Sequence, residues 1–364
     1  MRRNRIAALL LAAVMAAPGA ALGGCKKPES ELKESEVKEP KLNRYDVQFL
    51  DLFDTVTSMV GYAPDEETFR GYAQELYDEL KIYHQLYDIY NDYEGIANIK
   101  TINDQAGRAP VEVDEKIIAM LKEAVEMDRQ TDGYMNVAMG SVLSIWHEYR
   151  TEGLYDPEHA KLPPFEELEA AAEHVDIDQV VIDEAASTVY LPDPDMSLDV
   201  GSIAKGYAAE MVCRKLEEDG LTKALVSVGG NVRAIGDKGD GTLWKVGIQN
   251  PDLSSQTRYL HTVELKDMSL VTSGSYQRYY TVDGVEYHHI IHPELLMPWD
   301  EYDSVSILCR DSGMADCLST AVFNMEFEDG KELIESLEDV EAMWIFKDGK
   351  EEYSSGFRAF MAEE

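Results

Sequence analysis

Between Lys223 and Val282 one strand-like run follows another with no helix between them, and this succession constrains the fold most. The runs are Lys223 to Gly236, Trp244 to Gln249, Tyr259 to Glu264, Ser269 to Ser273 and Tyr279 to Val282. Similar runs occupy residues 49 to 62, Val305 to Leu308 and Glu341 to Phe346, and Gln179 to Leu191 reads as a hairpin. All are rich in β-branched and aromatic residues. Helical spacing of apolar residues marks Glu66 to Tyr90, Asp114 to Arg129, Gly140 to Tyr149, Ser202 to Glu217, Asp311 to Met325 and Gly330 to Leu337. Helices do not alternate regularly with strands. The expectation is therefore an α+β fold, not a doubly wound parallel sheet.

This pattern fills residues 45 to 364 without a Gly/Pro/Ser-rich linker, enough for one large domain or two intimately joined lobes. What precedes it is different. Residues 1–24 carry Arg2, Arg3 and Arg5, then an apolar stretch from Ile6 to Ala17, then small residues. That is the layout of a secretory signal peptide, too short for a membrane span. Leu22-Gly23-Gly24-Cys25 resembles the lipobox of bacterial lipoproteins, which predicts cleavage before Cys25 and its lipidation. Residues 25 to 44 would then be the lipidated Cys and a charged, flexible tether, too poor in apolar residues to fold alone. About 20 extended residues reach roughly 60–70 Å. The implied location is the extracytoplasmic face of the bacterial cell membrane.

The formal net charge is -37. Such an excess repels nucleic acid, which is excluded as a partner. It also repels any anionic substrate unless a metal or local dipoles receive it. Cys213, Cys309 and Cys317 form no CxxC pattern, so a zinc site is not expected. Their odd number argues against a disulfide framework: three leave room for one bridge at most, and buried free thiols are the expectation.

Four segments carry residues suited to chemistry. In ADCLST, Asp316 and Thr320 are four apart, on one helical face. A carboxylate and a hydroxyl so stacked suit a hard cation, although an Asp near a helix start also simply complements the dipole. In SLDVGSIAKGYAAE, a strand ending at Asp199 passes through Gly201 into a helix near Ser202, a junction that presents N–H groups to an anion. Lys205 there could meet a phosphate or stand in solvent, and Gly206 allows close packing. In LVSVGGNVRAIG, Gly229-Gly230 is either a tight turn or a close approach to a ligand. In VTSGSYQRYYTVDGVEYHHIIHPE, His288, His289 and His292 could bind metal, move protons or hold structure.

Taken in order, the blocks NDYEGIANIKTIN, DVGSIAKGYAAE, SVGGNVRAIG, WKVGIQNP, TSGSYQRYYTVDGVEYHHIIHP and ADCLSTAVF resemble the ApbE family of FAD:protein FMN transferases, from about Phe53 to Phe346. The resemblance implies the family's T-fold-related α+β architecture, with FAD, the substrate, in a cleft between two lobes. It implies Mg²⁺ at the pyrophosphate, held by Asp316, Thr320 and a backbone carbonyl near Ser202. Asp199 and Lys205 would contact FAD; Phe53, Tyr90, Ile291 and the Ala138-Met139-Gly140 turn would lie beside it. His289 would be the catalytic histidine, with His288 as its rival. The acceptor would be a Thr or Ser hydroxyl on another protein, such as an Rnf- or Nqr-type subunit or an exported flavin reductase. Two other activities share this reading: FAD pyrophosphatase on the same scaffold, or a non-catalytic FAD-binding lipoprotein. The sequence departs from the family at His292, where the common HxIIDPxTG pattern has Asp, at Asn231, where Asp is common, and at Phe53-Asp54-Thr55, where Met-Gly-Thr is usual.

Overall fold

The computed structural model describes residues 41–363. The expected signal peptide, Cys25 and most of the expected tether lie outside the described residues. Strand β1 (Asn43–Leu52) pairs with β2 (Thr55–Ala63). The expected boundary at residue 45 is thus two residues late, because Asn43 and Arg44 already pair with Ala63 and Tyr62. The single run expected over residues 49–62 is in fact broken at Phe53 and Asp54. Both take left-handed backbone conformations, with φ of 53° and 49°, and reverse the chain.

The chain continues through α1 (Glu66–Tyr87), α2 (Ile99–Asp104), β3 (Val111–Glu112), α3 (Glu115–Gln130), α4 (Gly140–Tyr155) and α5 (Phe165–Ala172). The hairpin of β4 (Val181–Asp183) and β5 (Thr188–Tyr190) leads to α6 (Ala204–Glu218). Then come β6 (Ala224–Val228), β7 (Asn231–Ile235), β8 (Trp244–Gln249), β9 (Tyr259–Leu265), β10 (Ser269–Gly274), β11 (Tyr279–Val282), β12 (Val285–His288) and β13 (Tyr302–Cys309). Helices α7 (Ser312–Phe323) and α8 (Phe327–Ser336) precede β14 (Glu341–Phe346) and β15 (Glu351–Tyr353).

The main sheet runs β1-β2-β6-β7-β10-β13-β14-β15, and every neighbouring pair is antiparallel. That is the α+β architecture the strand succession demands. Its two faces are set by the period of two. Val305 and Ile307 face the layer of α1, α3, α6 and α7, whereas Leu308, Met343 and Ile345 face the β8–β9 hairpin and Phe357. Each fully buried aliphatic side chain in these rows contributes about 1.5–3 kcal/mol. A third apolar cluster joins α4 and α5 to Tyr280, Ile291 and Leu296. Lys41–Glu364 nonetheless form one compact unit.

Gly229 and Gly230, with φ of 60° and 98°, split the expected run of residues 223–236 into β6 and β7. A Cβ on Gly229 would also stand 2.8 Å from Thr55, so the turn and the start of β2 fit only with glycine there. Cys213, Cys309 and Cys317 are buried free thiols.

Candidate active site

A cleft of about 380 Å³ opens between the N-terminal end of α6 and the Asp316–Thr320 face of α7 on one side and α4 with the β10–β11 connection on the other. The close crossing of α6 and α7 shapes its floor. A Cβ on Gly206 would lie 2.3 Å from the Ser312 carbonyl oxygen and 2.4 Å from Asp316 Cβ, so only glycine permits it. The crossing redirects a backbone hydrogen bond. The Gly206 N–H donates to Asp316 Oδ2 at 2.8 Å rather than to the carbonyl of Ser202, one helical turn back. The Ser202 carbonyl therefore accepts no backbone N–H among the described residues.

Asp316, Thr320 and Ser202 all line the cleft. The donors available are a carboxylate, a hydroxyl and an unengaged carbonyl, all hard oxygens of the kind Mg²⁺ prefers. Burial pushes the Asp316 carboxyl above its usual range, while Lys205 and the Gly206 N–H favour its charged form. Asn231 faces the same carboxylate and also favours its charge, yet its buried Nδ2 completes no hydrogen bond among the described residues. The residues present fit the ion.

Asp199 lies nearby, with Oδ1 accepting the Gly201 N–H at 2.9 Å. Burial raises its pKa, and Gly201, His147, Lys205 and Arg150 oppose that rise. Lys205 Nζ donates to the Gly201 carbonyl at 3.2 Å.

The histidines separate cleanly. His288 is buried against Phe323, donates Nε2–H to the Trp299 carbonyl at 2.8 Å and accepts the Ile290 N–H at Nδ1. His289 lines the cleft, and its Nδ1 donates to the Arg278 carbonyl at 3.3 Å. That bond selects the tautomer with a lone pair on Nε2. Burial, and then Arg278 and Arg150, push its pKa down to about 3, so the free protein holds the ring neutral. His292 is not on the cleft. It is buried, and its Nδ1 accepts the N–H groups of Glu294 and Leu295 at 3.1 and 3.2 Å. An aspartate oxygen would do the same job at the start of such a turn, so the replacement of Asp is structural.

Phe53, Tyr90, Met139 and Ile291 also line the cleft. Ala138 and Gly140 do not: Ala138 is buried in the core, and Gly140 packs against Ser197, where a Cβ would meet the carbonyl oxygen at 2.4 Å. Tyr90 lies beyond the end of α1, which stops at Tyr87, and its ring leans on His147 at 5.2 Å. The Phe53 N–H donates to His84 Nδ1 at 3.2 Å, so a histidine of α1 anchors the left-handed turn at the rim. His84, His147, Arg150 and Arg278 are lining residues that the sequence reading passed over. His147 and Arg150 are three apart on α4, a spacing that brings them to one face, and they are indeed hydrogen bonded at 3.0 Å.

This arrangement agrees with what the chain resembles. A family model described as the ApbE family matches residues 53–344. The chain is 36% identical over 272 residues to the FAD:protein FMN transferase of Treponema pallidum, covering 71% of this chain and 73% of that protein. It is 31% identical over 287 residues to an FAD:protein FMN transferase of Klebsiella pneumoniae, with 79% and 84% covered. The crystal structure of the ApbE protein of Thermotoga maritima superposes with a TM-score of 0.76 at 28% identity, covering 88% of this chain and 100% of that one. The flavin transferase ApbE of Vibrio cholerae gives 0.72 at 25% identity, covering 87% and 100%. With the family model spanning most of the described residues and an oxygen-lined cleft facing a neutral histidine, the chain belongs to the ApbE family.

Proposed function

We propose that this protein transfers FMN from FAD to a Ser or Thr hydroxyl of an acceptor protein and releases AMP. The observation that carries the reading is the meeting, in one cleft, of His289 with a free Nε2 and the oxygen set of Asp316, Thr320 and Ser202. The relatives bearing the name FAD:protein FMN transferase support it.

In this reaction the acceptor oxygen bonds to the FMN-side phosphorus, the pyrophosphate P–O bond breaks, and AMP departs with the electron pair. A neutral hydroxyl is a poor nucleophile, so its proton passes to His289 Nε2. The pyrophosphate brings negative charge beside His289 and raises its pKa from the low value of the free protein, towards the range where a base is useful. Lys205 and the Gly201 turn receive phosphate oxygens, and Phe53 and Tyr90 flank the flavin at the rim. Mg²⁺ held by Asp316, Thr320 and the Ser202 carbonyl would neutralise the charge that spreads over the phosphoryl oxygens.

The Cys25 lipid anchor places the enzyme on the extracytoplasmic face of the bacterial cell membrane, within reach of Rnf- or Nqr-type subunits or exported flavin reductases as acceptors. No helix among the described residues is long and apolar enough to cross a membrane, so in this reading the lipid does the holding.

The test mixes residues 26 to 364 with FAD, Mg²⁺ and an acceptor domain carrying a flavinylation motif, and reads flavin fluorescence in a denaturing gel. A fluorescent acceptor band is expected, and Asp316→Ala should abolish it. Release of free FMN and AMP with no band would instead establish a pyrophosphatase.

A further inference from the structure

Among the described residues, Arg44, Arg70, Arg129, Arg214, Arg233 and Arg310 each pair with a carboxylate. Arg108, Arg258 and Arg358 do not, but they lie away from the cleft, on the Asp104 carbonyl and over the rings of Tyr259 and Tyr353. Two arginines line the cleft, and among the described residues neither Arg150 nor Arg278 has a carboxylate within 4.0 Å. Arg150 is half-buried on α4, and its one side-chain partner is the neutral-acceptor nitrogen of His147. Arg278, on the β10–β11 connection, offers its carbonyl to His289 and leaves its guanidinium without a hydrogen-bond partner among the described residues. The two are close enough that Arg278 disfavours the charge on Arg150 more than Asp199 favours it.

Two like charges facing one cleft with no carboxylate in direct contact disfavour each other, and an arriving anion relieves this. The forked guanidinium is suited to carboxylate and phosphate oxygens in paired hydrogen bonds. Within a protein of net charge -37 the pair also provides a local attractive field that the molecule as a whole denies to anions.

We propose that Arg150 and Arg278 form an oxyanion subsite beside His289, additional to Lys205 and the oxygen set around Asp316. Its ligand is an oxyanion of the two reactants: a phosphate of FAD, or a carboxylate next to the acceptor hydroxyl. The proposal rests on the transferase reading for the identity of those reactants. Its consequence is that the positively charged pair, not the metal end, sets how the group opposite His289 is presented to it.

The experiment compares the wild-type protein with Arg150→Gln/Arg278→Gln and Arg150→Lys/Arg278→Lys in equilibrium titrations with FAD, AMP, riboflavin and the acceptor domain, none of which needs turnover. If the ligand is a phosphate, the Gln pair should raise the dissociation constants of FAD and AMP at least tenfold while riboflavin is unchanged. If it is a carboxylate, FAD and AMP should hold and the acceptor domain should weaken at least tenfold. In either case the Lys pair should recover part of the loss. All four constants within twofold of wild type, in a variant with an unchanged melting temperature, would overturn the subsite. So would riboflavin weakening in step with FAD, because that indicates lost packing rather than lost charge. Absence of FMN transfer by the wild-type protein would defeat the transferase reading but leave these binding comparisons valid.

Discussion

Adjacent side chains at the end of a strand point to opposite sides, and that alternation divides the labour between His288 and His289. His288 spends both ring nitrogens on backbone groups, whereas His289 spends only Nδ1. Replacing His289 with Ala should reduce FMN transfer by about 10²–10⁴-fold, the range for loss of a general base, with FAD affinity within a few-fold of wild type. Gel fluorescence and a flavin-quenching titration measure the two. His288→Ala should instead lower the melting temperature, since it empties a buried site beside Phe323 and leaves the Trp299 carbonyl unpartnered. The reverse pattern would move the base to His288.

At the scale of elements, the α6–α7 crossing is the part of the site with least tolerance. Gly206→Ala must push α7 away from α6, since backbone and Asp316 Cβ both stand within 2.5 Å of the new atom. Overpacking of this kind costs about 1–3 kcal/mol. The expected result is a lower melting temperature and loss of the Mg²⁺ dependence of transfer, checked by thermal unfolding and by a metal titration. The start of α7 also faces Glu123 of α3, whose pKa burial raises to about 7, with Asp311 and Glu210 adding to the rise and Arg214 opposing it. Because the folded value exceeds the ordinary one of 4.5, this carboxyl favours the fold fully below about 4.5, and the benefit is lost as pH rises through about 7. Glu123→Gln should therefore raise the melting temperature, relative to wild type, more at pH 8 than at pH 5. Much of this layer was legible in the sequence. The helical faces of α1, α3, α6 and α7 and the pairing of Asp316 with Thr320 follow from periodicity. The turn at Gly229-Gly230 was also open to the sequence, as one of two readings of the paired glycines, but the break at Phe53-Asp54 was not, because a tight reversal inside a continuous apolar run leaves the alternation almost undisturbed. Helices α2 and α5 are too short for a periodic signal. Arg150 and Arg278 come from distant segments, and nothing in either segment announces that tertiary packing will bring both to one cleft with no carboxylate in direct contact.

For the molecule as a whole, the folded unit begins at Asn43, so residues 26 to 42 separate it from Cys25, a reach of roughly 55–60 Å if extended. In cells expressing the full chain, Cys25→Ser should move the protein from the membrane to the soluble fraction while its activity on a soluble acceptor domain is retained. Fractionation followed by immunoblotting checks this, and a wild-type protein already soluble would refute the anchor. Retained activity is expected because the proposed metal ligands and the proposed base all line a cleft formed by the described residues. The bond between the Gly206 N–H and Asp316 makes this concrete. One donor, turned away from its own helix, settles a buried carboxylate and releases a carbonyl, so two of the proposed metal ligands depend on a single change of partner. They cannot be tuned independently. A substitution that let α6 resume regular winding would engage the carbonyl and unsettle the carboxylate together, so affinity at the proposed metal site should follow the spacing of the two helices through both oxygens at once.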